Sequence, residues 1–391
     1  MKKPLRIIAL ATPLALLAAC GGAAPTSAEH PATVAELAAA TPSMSTLALA
    51  DGPLDVSDSW SAQFSSSLLS EMRGDMDHPH LFLRSEEVVG RVNRHIYKFL
   101  VHLEDAILSR PAITTGDTAT WETTRHGIDA RLTVKKETPT AYSWTLDLAP
   151  VASPAGTVVP TPITVASGTL DTAGATGPHQ GTGGISLDLG KLASVTGAEV
   201  AGTIDAHFDN LGDHRSVSVH AADIVWDTDS RNPWRAAPRS ADYVSYRRAG
   251  VGGSLKVSEE VAFPVAAAPA ITTAQLGLVN RWYLAPDKSV HGRSDAQFTG
   301  GQLSAAKVAK IVALTCHQGA TAKHTPVEGD WLLKAEDASG ATLWGFESVR
   351  GITPCDPQLG ATVPALKNDD TDFDFSAVSF TDGKPYEFPG L

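Results

Sequence analysis

From Thr118 onward the apolar residues of this chain recur at every second position, and that rhythm restricts the fold more than any other feature. In "GIDARLTVKK" Ile128, Ala130, Leu132 and Val134 share one parity, and in "AYSWTLDL" Tyr142, Trp144, Leu146 and Leu148 do the same. Side chains alternate across a strand, so each segment carries one apolar and one polar face, and the stretch around Pro139 between them reads as a turn. "GISLDL", "VAGTIDAHF", "RSVSVHAADIVW" and "GSLKVSEEVAF" continue the pattern. In the third of these Val217 and Val219 have one parity and Ile224 and Trp226 the other, so a bulge is expected near Ala221 and Ala222. Strands that bury only one face belong to an antiparallel sheet.

Upstream of Thr118 the period is helical. Trp60, Phe64, Leu68 and Met72 form a stripe that Gly74 can end. Val89, Val92, Ile96, Phe99, Leu103 and Ile107 form another, with Ser85 placed to cap it and Pro111 to close it. The second is the expected cover of the sheet, about 36 Å long at 1.5 Å per residue. Downstream, "FPVAAAPAITTAQ" at 263–275 reads as a join, after which "LVNRWYLAPD", "GDWLLKAED" and "ATLWGFESV" suggest further strands. The expected fold is mainly β with N-terminal helices (α+β). It comprises two helices in 57–111, an antiparallel meander or half-barrel-like sheet in 112–265 packed on the long helix, and a separate C-terminal β module in 271–391 with an acidic tail.

The first residues set an address. Lys2, Lys3 and Arg6 precede an apolar run, and small residues follow it, which is the layout of a secretory signal over residues 1–19. Leu17-Ala18-Ala19-Cys20 resembles the lipobox of bacterial lipoproteins. The resemblance implies cleavage before Cys20 and more than one acyl chain on it. At about 0.8 kcal/mol per buried methylene, such a residue anchors stably where a single chain would be marginal. Gly21, where an aspartate would signal inner-membrane retention in the enterobacterial pattern, favours the outer membrane of the bacterial envelope. Residues 20–56, rich in Ala, Pro, Ser and Thr and without an aromatic, are expected to form a flexible spacer, with "TVAELAAAT" a transient helix. In an exported chain the remaining cysteines, Cys316 and Cys355, read as a disulfide stapling the C-terminal module, contributing about 3–4 kcal/mol by loop closure.

Charge narrows the partners. Residues 1–19 hold three of the 31 basic residues and none of the 43 acidic ones, so the rest carries a net charge of −15 (28 against 43). A surface of that sign argues against nucleic acid. One local patch runs the other way: Arg231, Trp234, Arg235, Arg239, Tyr243, Tyr246, Arg247 and Arg248 interleave guanidinium forks and aromatic faces. Such a surface suits an anionic glycan, a lipid headgroup or an envelope protein.

Other constellations are weaker. Asp75, Asp77, His78 and His80 offer metal-ligand chemistry within six residues but read better as a solvated connection, and no cofactor is implied. His95 and His102 fit the polar side of the long helix. Asp205, His207 and His220 should share the polar face of one hairpin, with Ile204 opposite Val219 and Asp205 diagonal to His220. Ser304 and Lys307 match SxxK, yet no SDN or KTG follows, so Ser304 reads as the cap of a helix through "AAKVAKIV". Asp370, Asp372 and Asp374 have calcium-loop spacing, but Phe375 and Thr381 replace the Gly and Glu such a loop needs. No catalytic constellation emerges. Three functions stay open in order: a non-enzymatic binding or structural envelope lipoprotein, a carrier holding a lipophilic ligand between sheet and helix, and an envelope hydrolase.

Overall fold

The computed structural model describes residues 32–49, 81–109, 113–151, 161–225, 237–248, 250–263, 272–284, 289–301, 303–320 and 327–348. Fifteen strands make one sheet: β1 (Ile113–Thr115), β2 (Thr118–Arg125), β3 (Ile128–Lys136), β4 (Ala141–Pro150), β5 (Ile163–Asp171), β6 (Gly181–Asp188), β7 (Ala201–Asn210), β8 (His214–Val225), β9 (Arg239–Arg248), β10 (Gly252–Phe263), β11 (Thr272–Leu284), β12 (Ser289–Thr299), β13 (Lys310–Ala320), β14 (Val327–Glu336) and β15 (Thr342–Ser348). Each pairs antiparallel with the next in sequence order, and among the described residues no ladder closes β15 onto β1. The two-residue turn His126-Gly127 between β2 and β3 has both residues at positive φ (51° and 76°), matching the right-handed twist of the flanking strands.

Period two is realised as apolar in, polar out. Trp121, Leu132, Val134, Trp144, Leu146, Phe208, Val217, Leu255, Leu278, Ala296, Ala313 and Leu333 join one core. The outward row Thr120, Thr133, Thr145, Ser167 and Ser186 crosses five strands rung by rung. That is the inverse of a lipid-facing barrel, whose outer band is apolar. Aromatic rings lie over glycines on the adjacent strand. A Cβ on Gly168 would sit 2.6 Å from the Trp144 ring, one on Gly183 2.7 Å from Phe208, and one on Gly253 2.6 Å from Trp282.

Three helices occupy the inward side. α1 (Val34–Ala39) lies against β2 and β3, α2 (Met44–Leu47) against β7 and β8, and α3 (Leu81–Ser109) touches β2 and β3 as well as β11, β12 and β13. One helix reaches both flanks only if the sheet curls around it. Leu37, Leu49, Val88, Leu100 and Leu103 are at most 1% exposed. A fourth helix, α4 (Leu189–Thr196), follows β6, with Asp188 accepting from the Lys191 N–H and Gly197 at φ 70° ending it. The cap pair is plain in "DLGKLASVTG", although the sequence expectation ended at the strand before it.

Several expectations are corrected. The fold is mostly β in a single open sheet of fifteen strands, in place of the expected α+β arrangement of a smaller sheet and a second module. The C-terminal strands are no separate module: β10 pairs with β11 from Gly252↔Tyr283 to Phe263↔Thr272, so the strands on either side of 264–271 belong to one sheet. A Pro/Ala-rich stretch in sequence is compatible with a connection inside one sheet as well as with a domain boundary. No disulfide defines a unit either. Cys316 is a β13 residue opposite Arg293, held by the ladder, Cys355 lies outside the described residues, and among those residues no disulfide is seen. Residues 32–49, expected to belong to a flexible spacer, are part of the core. Thr33 accepts from the Glu36 N–H to start α1, and Leu37, Ala40, Leu47 and Leu49 are buried. Lack of aromatics did not keep this segment out, because its leucines and alanines join the core.

The long helix begins at Leu81, so Ser85 is an interior residue whose hydroxyl accepts from Asn280 Nδ2 at 3.1 Å. Asn280 Oδ1 in turn accepts from the Ser294 hydroxyl. "AAKVAKIV" is not helical: a 3-10 turn spans Leu303–Ala306, Lys307 sits at φ 59°, and β13 starts at Lys310. The helix expected around Trp60 lies outside the described residues, and the bulge falls at Ala222-Asp223, where Asp223 takes φ 52°.

Candidate functional site

Among the described residues, the basic-aromatic stretch is divided between the two faces of one strand. Arg231, Trp234 and Arg235 lie outside the described residues. The others lie along β9, whose alternation divides them between faces and whose length separates Arg239 from Arg248 by about 30 Å at 3.3 Å per residue. Tyr243 is buried in the core, its hydroxyl donating to Glu259 Oε2 at 3.0 Å. Arg239 pairs with Glu260 at 3.7 Å, and burial pulls its guanidinium below the ordinary value while Glu260 opposes the shift. Arg248 donates to Asp213 Oδ2 at 2.7 Å, which raises the guanidinium and lowers the carboxyl. Tyr246 stacks on His214 with centroids 6.2 Å apart, and Arg247 stands beside Arg215 in the β8–β9 ladder.

The arrangement with most chemistry is on the outward face of β7, β8 and β9. Asp205, His220 and Asp242 occupy one rung across three strands, flanked by Ser186 on β6 and Ser258 on β10. The expected register is corrected by two residues. Ile204 faces Ala221, so Asp205 is directly opposite His220, and His207 is directly opposite Ser218. His220 Nδ1–H donates to Asp242 Oδ1, a contact that fixes the ring. An imidazole oriented by a carboxylate can move a proton. Here it stands on a sheet face, with the His220 and Asp242 side chains 44% and 27% exposed. Asp242 was missed in the sequence because its strand is separated from β8 by a loop whose length gives no register; its parity with Ser240 in "RSADYVSY" was the available signal.

The remaining candidates disperse. Ser304 and Lys307 are exposed in the β12–β13 turn, joined only by Lys307 N–H donating to the Ser304 carbonyl at 3.0 Å. His95 is half-buried on α3, where His102 also lies. Asp75, Asp77, His78, His80, Asp370, Asp372 and Asp374 lie outside the described residues, as does Cys20. Among the described residues no group of three or more His, Cys, Asp or Glu side chains is placed to hold a metal ion. No helix there is long and apolar enough to cross a membrane. No protein-family model, curated protein or solved structure matches the chain.

Proposed function

We propose that this chain is a membrane-tethered envelope lipoprotein acting as a non-enzymatic binding or structural protein, anchored through acylated Cys20 and presenting the polar outward face of its sheet to partners. The observation that carries the non-carrier part of this reading is the filled interior. α1, α2 and α3 pack on the inward side against β2, β3, β7, β8 and β11 to β13, and Leu37, Val88, Leu100 and Leu103 on α1 and α3 are at most 1% exposed, where a carrier would keep an apolar groove for its ligand. The outward face offers the hydroxyl row and the Asp205–His220–Asp242 rung, donors and acceptors suited to polar partners. The anchor is supported by the lipobox-like Leu17–Cys20 and the charged and apolar residues before it.

Phase partition of the chain expressed in a bacterium tests the anchor. The intact protein goes to the detergent phase and carries the mass of its acyl chains on the N-terminal peptide. A version whose residues 1–20 are replaced by an ordinary cleavable export signal goes to the aqueous phase. Equal partition of the two forms contradicts the reading.

A further inference from the structure

Two arginines of the inward face stand directly opposite one another near one end of the sheet. Arg215 on β8 shares the parity of Val217 and Val219, and Arg247 on β9 that of Tyr243, all three of them core residues. The ladders place Arg215 opposite Arg247, Arg247 opposite Gly253 on β10, and Gly253 opposite Trp282 on β11. One inward rung thus carries two guanidiniums and an indole. Both arginines are half-buried, each one residue in from a strand end, at His214 and at Arg248.

Trp282 has no exposed surface, and its Nε1–H is buried without a hydrogen-bond partner among the described residues. Gly253 makes room for the edge of the indole that bears this nitrogen: a Cβ there would meet ring atoms Cζ2 and Cε2 at 2.6 and 3.0 Å. The indole edge therefore lies over the residue paired with Arg247.

The side-chain polar groups of this rung are all donors. Each guanidinium carries five N–H groups, enough to serve a protein partner and a further acceptor together, and the indole carries one. Like charges directly opposite in an antiparallel pair repel. An oxyanion between them replaces that repulsion with charge-assisted, forked contacts and gives the buried indole an acceptor.

We infer that the Arg215–Arg247–Trp282 rung binds a small oxyanion of the phosphate type, held by the two guanidinium forks and by Trp282 Nε1–H. The site is independent of the lipid anchor, and it lies at the end of the strands rather than among the leucines and valine that fill the interior.

Thermal denaturation of the full chain in inorganic phosphate, against chloride at equal ionic strength, tests it. About 10 mM phosphate raises the parent's midpoint by about 2–4 °C, and the rise saturates. Arg215→Gln and Arg247→Gln abolish the saturable rise. Trp282→Phe, which keeps a ring and loses the N–H, at least halves it, and Arg131→Gln on the exposed outward face leaves it intact. Where a glutamine variant fails to fold, Arg247→Lys, which keeps the charge without the fork, replaces it and also loses at least half of the rise. No rise, a rise that never saturates, or one equal in the parent and in the Trp282 and Arg247 variants overturns the inference; the last two are the general effect of an excluded salt.

Discussion

Replacing Asn93 by leucine separates the N-terminal segment from the body at its innermost point. Asn93 is buried on α3, where its Oδ1 accepts from the Leu49 N–H at 2.7 Å and its Nδ2 donates to the Leu49 carbonyl at 2.9 Å. One side chain thus satisfies both backbone groups of a residue with no exposure. Leucine has similar volume and no polar atoms, so Asn93→Leu leaves a donor and an acceptor buried without partners. At about 1–3 kcal/mol for each orphaned group, the loss is about 2–6 kcal/mol. The segment could instead lift away and solvate those groups. That exposes Leu37, Leu47 and Leu49, each contributing about 1.5–3 kcal/mol of burial, so release costs about 5–9 kcal/mol. The smaller cost wins, and the segment stays docked but strained. Urea denaturation of the full chain should show a midpoint lowered by that amount with little change in slope, and hydrogen exchange at residues 46–49 should quicken ahead of the sheet. A stability within about 0.5 kcal/mol of the parent, with unchanged exchange, would refute the claim that this segment is part of the core.

Other perturbations follow from particular contacts. Asp295→Ala should cost about 3–5 kcal/mol, because it strands the buried Arg293 that it now holds by bonds of 3.0, 2.8 and 2.6 Å; the double replacement Arg293→Met with Asp295→Leu should restore most of the loss in the same denaturation assay. Gly168→Ala drives a methyl into the Trp144 ring and the Gly184 carbonyl, for about 1–3 kcal/mol, whereas Gly177→Ala, with nothing nearer than 3.6 Å, should lie within about 0.5 kcal/mol of the parent. Glu36 is held below its ordinary value of 4.5 by the hydrogen bonds from Lys136 and Tyr142. A depressed carboxyl contributes stability above its unfolded value that is lost as pH falls through the folded one. Proteolysis within 32–49 should therefore rise below about pH 4.5, and Glu36→Gln should flatten that dependence.

The antiparallel sheet was legible because period two is a property of single segments: Leu132 and Val134, Trp144 and Leu146 face the core as their parity requires. What escaped was non-local. Nothing in "FPVAAAPAITTAQ" distinguishes a connection inside one sheet from a linker until β10 and β11 are seen to pair across it. The docking of residues 32–49 depends on Asn93, Asp117, Lys136 and His179, side chains 44 to 138 positions away, whose roles no local window carries. The polar rung was half visible. Asp205 and His220 were paired by face, but a register two residues off hid their direct apposition, and Asp242 belongs to a strand whose alignment only the ladder fixes. Arginine and aromatic residues of β9 looked like one patch because sequence adjacency was read as surface adjacency, which strand alternation denies.

The filled interior is the central claim, and native mass spectrometry tests it most directly. The full chain, with residues 1–20 exchanged for a cleavable export signal, is released from the envelope without detergent and weighed intact. A bare polypeptide mass, unchanged when the protein is incubated with the lipids of its own membrane, is the predicted result. A stoichiometric adduct of lipid mass would contradict it, and would mean that α1, α2 and α3 yield the inward face of the sheet to a ligand.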